Sequence, residues 1–132
     1  MHHTFDNLYP LNHAFYGSMD LFALQNLRNV ELSLDVVLPH RARVRVAYQH
    51  FALPEPVTDA WYNAAAGAVY LAGDPGISSV VGSEVDVTVR LPVWHVAMEA
   101  GYSHFFGGAY LDDAAFALRS ADFLYLQTMV GF

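Results

Sequence analysis

Cysteine is absent from the 132 residues. A disulfide framework and a thiolate zinc site are therefore excluded. Lysine is absent too: every one of the six basic residues is arginine, set against 13 acidic ones for a net charge of −7. An acidic chain is a poor ligand for phosphate backbones, which argues against a nucleic-acid partner. Charged residues make up only 14% of the chain, while 55% are hydrophobic. Soluble domains carry nearer a quarter charged. Yet no apolar run reaches the roughly 18 residues that a membrane helix needs. So apolar a chain without such runs must disperse its apolar residues, as strands with one apolar face do. The start, Met1-His2-His3-Thr4, lacks the cationic and apolar stretches of a secretory leader.

What is present is alternation. Five segments repeat with a period of two, the pattern of strands with one apolar face. They run over about 27–38, 42–53, 82–91, 94–106 and 121–132. In the first, Val30, Leu32, Leu34, Val36 and Leu38 oppose Glu31, Ser33 and Asp35. In the third, Val85, Val87, Val89 and Leu91 oppose Glu84, Asp86, Thr88 and Arg90. Each has about ten residues, the length of a tilted bilayer span and about twice that of a common soluble strand. Short connections at Pro39-His40-Arg41 and Pro92-Val93 alternate with long ones over 54–81 and 107–120. Short periplasmic turns alternating with long external loops characterise outer-membrane barrels. The fold class expected is all-β: an antiparallel meander of about five or six strands, forming part of a transmembrane β-barrel. Residues 59–66, Ala-rich with Asp59 as cap, suggest a short helix in an external loop. Asp74-Pro75-Gly76 reads as a turn.

The candidate functional residues fall on two faces. Arg43, Arg45, Arg90, Glu84, Asp86 and Glu99 lie on the polar face and would line a water-filled pore. A tight turn at 39–41 puts Asp35 opposite Arg45 or Arg43. A two-residue turn at Pro92-Val93 would put Arg90 opposite His95 and Asp86 opposite Glu99, two facing carboxylates. Trp94 and Tyr102 suit the interfacial aromatic girdles of a barrel. Phe132 ends the last alternating strand. The seven histidines are scattered, no zinc spacing occurs, and no catalytic set is visible, so neither enzyme activity nor a cofactor is expected.

A series of short pieces runs in order along the chain: Phe5-Asp6-Asn7-Leu8-Tyr9-Pro10, Phe15-Tyr16-Gly17, Met19-Asp20-Leu21-Phe22, Asp59-Ala60-Trp61-Tyr62 and Val81-Gly82-Ser83-Glu84-Val85-Asp86. The stretches Glu99 to Phe106 and Ala121 to Gln127 complete the set. In this order they resemble the alginate-export family of outer-membrane barrels. The resemblance implies that residues 1–132 correspond to the C-terminal part of a longer barrel, with 1–26 an external loop region and strands and loops over 27–132. It also implies residence in the cell outer membrane, a lipid-bilayer partner and transport of polysaccharide, anionic and alginate-like, or of other polar solutes. A terminal aromatic at Phe132 further resembles the signal read by the outer-membrane assembly machinery. Five strands fall short of the eight from which membrane barrels start, so the chain alone is not expected to close. The alternative function is that of a small soluble β-barrel or sandwich binding an apolar ligand.

Overall fold

The computed structural model describes residues 16–70, 73–115, 117 and 119–130. Its frame is a five-stranded sheet of β1 (Arg28–Val37), β2 (Arg43–Ala52), β5 (Val80–Val93), β6 (Val96–Gly107) and β7 (Ser120–Val130). The order is β1-β2-β5-β6-β7, and every neighbouring pair is antiparallel. This is the meander that the alternation implies, with strands of 10, 10, 14, 12 and 11 residues. The β-branched series Val85, Val87 and Val89 favours the pleated backbone at the centre of the sheet.

Two tight turns close one end. At Pro39–Arg41 a single 3₁₀ turn joins β1 to β2, with the Leu38 amide donating to the Ala42 carbonyl at 2.8 Å. His40 and Arg41 both take φ of 61°. The second turn lies at Trp94-His95, two residues beyond the expected Pro92-Val93. Pro92 is paired with Ala97 inside the hairpin, near the strand end where a missing N–H is tolerated. Trp94 supplies the positive φ, 55°, that a two-residue hairpin requires. This displacement changes every pairing in the hairpin. Arg90 faces Glu99 rather than His95, and Asp86 faces Ser103 rather than Glu99. The register moves by an even number of residues, so the faces are unchanged and the carboxylate clash disappears.

The long connections lie at the opposite end. Residues 59–66 do not form a helix. Trp61–Tyr62 (β3) pairs with Ala68–Tyr70 (β4) in a small hairpin. Asn63 nucleates its turn, its side-chain oxygen accepting the amides of Ala65 at 3.1 Å and Gly67 at 3.0 Å. Such Asx geometry competes directly with helix. Asp74-Pro75-Gly76 turns as expected, with the Gly76 amide on the Asp74 carboxylate at 2.9 Å. A short helix, α1 (Ala109–Asp113), follows β6.

The buried cluster is small and eccentric. Phe22, Phe51, Leu53, Trp61, Val81, Phe105, Tyr110 and Leu111 pack at the long-loop end. Phe22 comes from the segment before β1; its ring stacks on Phe51 at 4.2 Å and on Trp61 at 5.6 Å. Segment 16–27 is thus strapped across one face of the sheet. Further bonds hold it: Trp61 Nε1 donates to the Leu21 carbonyl at 3.2 Å, and the Ala23 amide to the Tyr62 carbonyl at 3.0 Å. The Asn26 amide group spans the Glu55 and Ala60 carbonyls, both at 3.1 Å.

Candidate functional site: two faces of the sheet

The two faces differ in chemistry because side chains alternate across every strand. One face carries cross-strand rows of apolar groups. A typical row is Leu34, Val46, Val87, Tyr102 and Leu124; the next is Val36, Val44, Val89, Ala100 and Leu126. Nothing described covers them. Leu32 is 75% exposed and Leu124 77%. Contiguous apolar patches of this kind are not left in water by soluble monomers. The expected interfacial aromatics lie on or beside this face. Trp94 projects from the hairpin tip, 99% exposed. Tyr102 sits midway along β6 rather than near its end, with its hydroxyl donating to Asp122 at 2.5 Å. Asp122 also meets His104 Nδ1 at 2.7 Å. Phe132 lies outside the described residues.

The other face is polar, and its six expected residues all lie on it in cross-strand rows. Nearest the strap, Glu31, Gln49 and Glu84 share a row; then Ala47, Asp86 and Ser103; then Asp35, Arg45 and Thr88; then Arg43, Arg90 and Glu99. The arginines separate into two kinds. Arg45 is compensated: it forks between Glu31 at 2.6 Å and Asp35 at 3.0 Å. Of the two partners expected for Asp35, Arg45 and Arg43, the structure pairs it with Arg45. Arg43 and Arg90 stand directly opposite each other on neighbouring strands. Both are exposed, and among the described residues neither makes an ion pair. Glu99, across from Arg90, instead accepts the Tyr125 hydroxyl at 2.9 Å. Facing like charges cost stability in a sheet. These two leave a cationic spot beside the tight turns.

The acidic groups sit nearer the strap. Glu84 is fully buried beneath it and accepts the Met19 amide at 3.1 Å. Gly17, at φ of 90°, passes so close to the Glu84 carboxylate that a Cβ would not fit. Asp86, also buried, accepts a short bond from the Ser103 hydroxyl. A cleft of about 220 Å³ opens between strap and sheet, lined by Ser18, Glu31, Arg45, Gln49, Asp86 and Thr88. No group of three or more His, Cys, Asp or Glu residues among those described is placed to hold a metal ion. In the loops, burial beside Tyr70 pushes the Tyr110 phenol up to about 12. Tyr16 is raised by burial as well.

Three features escaped sequence reasoning. The strap contacts of Phe22 and Glu84 join residues more than sixty positions apart in the second case and carry no local signal. Gly101 faces Tyr125, whose ring lies over it and occupies the space of any Cβ. Phe123 falls on the polar face beside Tyr125, with ring centroids 5.8 Å apart.

A long-stranded antiparallel meander with one uncovered apolar face and one charged face is the wall of a membrane β-barrel. No described helix is long and apolar enough to cross a membrane. The sequence model of the alginate export family matches residues 1–122, and the chain belongs to that family. It is accordingly an outer-membrane β-barrel protein of polysaccharide export, a transport protein in contact with the lipid bilayer. No curated protein and no solved structure matches the chain.

Proposed function

We propose that this chain forms part of the wall of an outer-membrane channel whose polar face lines the path of an anionic polysaccharide or similar polar solute. The observation that carries the reading is the uncompensated Arg43–Arg90 pair. Guanidinium groups bind carboxylates bidentately. Two of them facing one another, neither held in an ion pair among the described residues, make a receptor for a uronate-like group even with Glu99 across from Arg90. Arg45 is not part of it, because Glu31 and Asp35 already occupy its fork. With the tight turns on the periplasmic side, the cationic spot lies at the rim where a polymer would enter. Farther along the wall Glu31 and Asp35 take up Arg45, and Glu84 is buried beneath the strap, so the attraction is local. The apolar face meets lipid, Trp94 marks the periplasmic interface, and loops 54–79 and 108–119 lie outside.

The test is ion selectivity of the full-length protein in a planar bilayer. A unit charge about 8 Å from the passing ion contributes roughly 0.5 kcal/mol in water, reduced about e-fold by screening near physiological salt. Each arginine attracts the anion and repels the cation, so replacing both Arg43 and Arg90 by Gln should lower the anion-to-cation permeability ratio by about three- to fourfold. An unchanged ratio in the double variant would refute the rim role.

A further inference from the structure

A polar lumen wall has little use for a half-exposed phenylalanine, yet Phe123 is 38% exposed on that face. It does not join the buried cluster, whose nearest member on the sheet is Phe105. Its companion is Tyr125, two residues on and therefore on the same face. The two rings stand 5.8 Å apart, their planes tilted by 33° to one another. Tyr125 is fixed twice. Its ring lies over Gly101, the glycine that leaves room for it, and its hydroxyl is tied to Glu99. One side of this ring is occupied by the wall, which turns the other toward the lumen. Around the rings stand polar groups: Glu99 with acceptor capacity to spare, and Gln127, exposed in the same row. The arrangement is an apolar patch two rings long with hydrogen-bonding groups at its margin.

We propose that Phe123 and Tyr125 form a stacking platform for one face of a pyranose ring, with Glu99 and Gln127 taking its hydroxyls. A pyranose presents C–H groups on its face and hydroxyls at its rim. The negative face of an aromatic ring suits the C–H groups, and the polar margin suits the hydroxyls. A lipid chain would require a patch without polar margins, which the opposite face of the sheet offers instead. This inference rests on the proposal that the polar face lines the solute path, and it adds a contact that ignores the sugar's charge. The platform stands one and two rows beyond Arg43 and Arg90, away from the tight turns. A unit drawn in by its carboxylate at the rim would be received next by its ring face.

The experiment uses full-length protein in detergent micelles, with folding of each variant checked by heat-modifiable migration. The probes are a neutral β-1,4-linked glucose trisaccharide and a mannuronate trisaccharide. Saturation transfer from aromatic protons to sugar C–H protons is followed through a titration. Transfer to both probes is expected in the wild type. Phe123→Ala should weaken both by about three- to tenfold, within the range of a single aromatic contact. Phe123→Tyr should retain binding, while Phe123→Leu, apolar but without a ring face, should behave as Phe123→Ala. Wild-type affinity in Phe123→Leu, or no transfer to either probe in the wild type, overturns the platform. The neutral probe separates the two proposals. Phe123-dependent binding of it with unchanged selectivity in the arginine variants sinks the cationic rim and leaves the platform. Altered selectivity without neutral binding does the reverse.

Discussion

Replacing Phe22 by Ala should release the strap without unfolding the sheet. Phe22 is fully buried and stacks on Phe51 and Trp61, with Phe105 at 6.2 Å. Truncating so buried a ring costs about 3–5 kcal/mol. Among the polar ties that remain are the Met19–Glu84, Leu21–Trp61 and Ala23–Tyr62 bonds and those of Asn26 to Glu55 and Ala60. Each contributes about 1 kcal/mol net. These ties are comparable in total to what is lost, so the strap stays folded most of the time but opens far more often. A loss of 3–5 kcal/mol raises the open population by about 10²- to 10³-fold or more. The assay is amide hydrogen exchange read by mass spectrometry over residues 16–27. The Met19 and Ala23 amides, both bonded across to other segments, should lose protection by that factor. Amides in the centre of β5 and β6 should keep theirs. Unchanged protection at Met19 and Ala23 would show that the ring does not hold the strap. Equal loss throughout β5 and β6 would show that strap and sheet unfold as one unit.

Gly101→Ala should displace the Tyr125 ring and destabilise the protein by about 1–3 kcal/mol, read as a fall in the urea midpoint. In a Tyr125→Ala background the same substitution should cost much less, and full additivity would contradict the close packing. Arg45→Gln breaks ion pairs whose arginine side chain is 48% exposed, so the stability change should stay within about 1 kcal/mol. A larger shift in the midpoint would mean that the fork organises the wall. Tyr110 should be a late-titrating tyrosine in the absorbance at 295 nm, ionising near pH 12, and Tyr110→Phe should remove that component. Its folded value lies above the unfolded one of about 10. The stability it contributes is therefore full below about pH 10 and is lost as the pH rises toward 12.

The strands were legible because a one-face strand writes its period directly into the sequence; β1 and β2 lie within a residue or so of the expected bounds. Turn length narrows the partner of Asp35 to Arg45 or Arg43, and the register selects Arg45. Where reasoning failed, a local rule met a stronger competitor. Pro92 looked like a turn residue, but the sheet continues past it and the turn falls on Trp94. Residues 59–66 looked helical from their alanines, but Asn63 captures the backbone amides and Trp61 is drawn into the buried cluster. Parity is preserved in the displaced hairpin, so Glu84, Asp86, Arg90 and Glu99 still share a face with Arg43 and Arg45 although Arg90, Asp86 and Glu99 have other partners than the turn at Pro92-Val93 implies. Which arginine would be compensated was not legible. That depends on the rows running across β1, β2, β5 and β6, not on spacing within any one strand.

The outermost strands of the sheet, β1 and β7, run in the same direction, since three strands lie between them and each neighbour reverses. An arithmetic rule follows for closure. If the wall is completed with antiparallel neighbours throughout, the added strands must be odd in number, giving an even total; three is the fewest that reaches eight. A ring assembled from repeats of this five-stranded unit alone would bring β7 of one copy beside β1 of the next in parallel, breaking the alternation at every joint. The partner that seals this sheet is therefore a stretch of wall with the opposite sense at both of its own borders, not a second impression of the same unit.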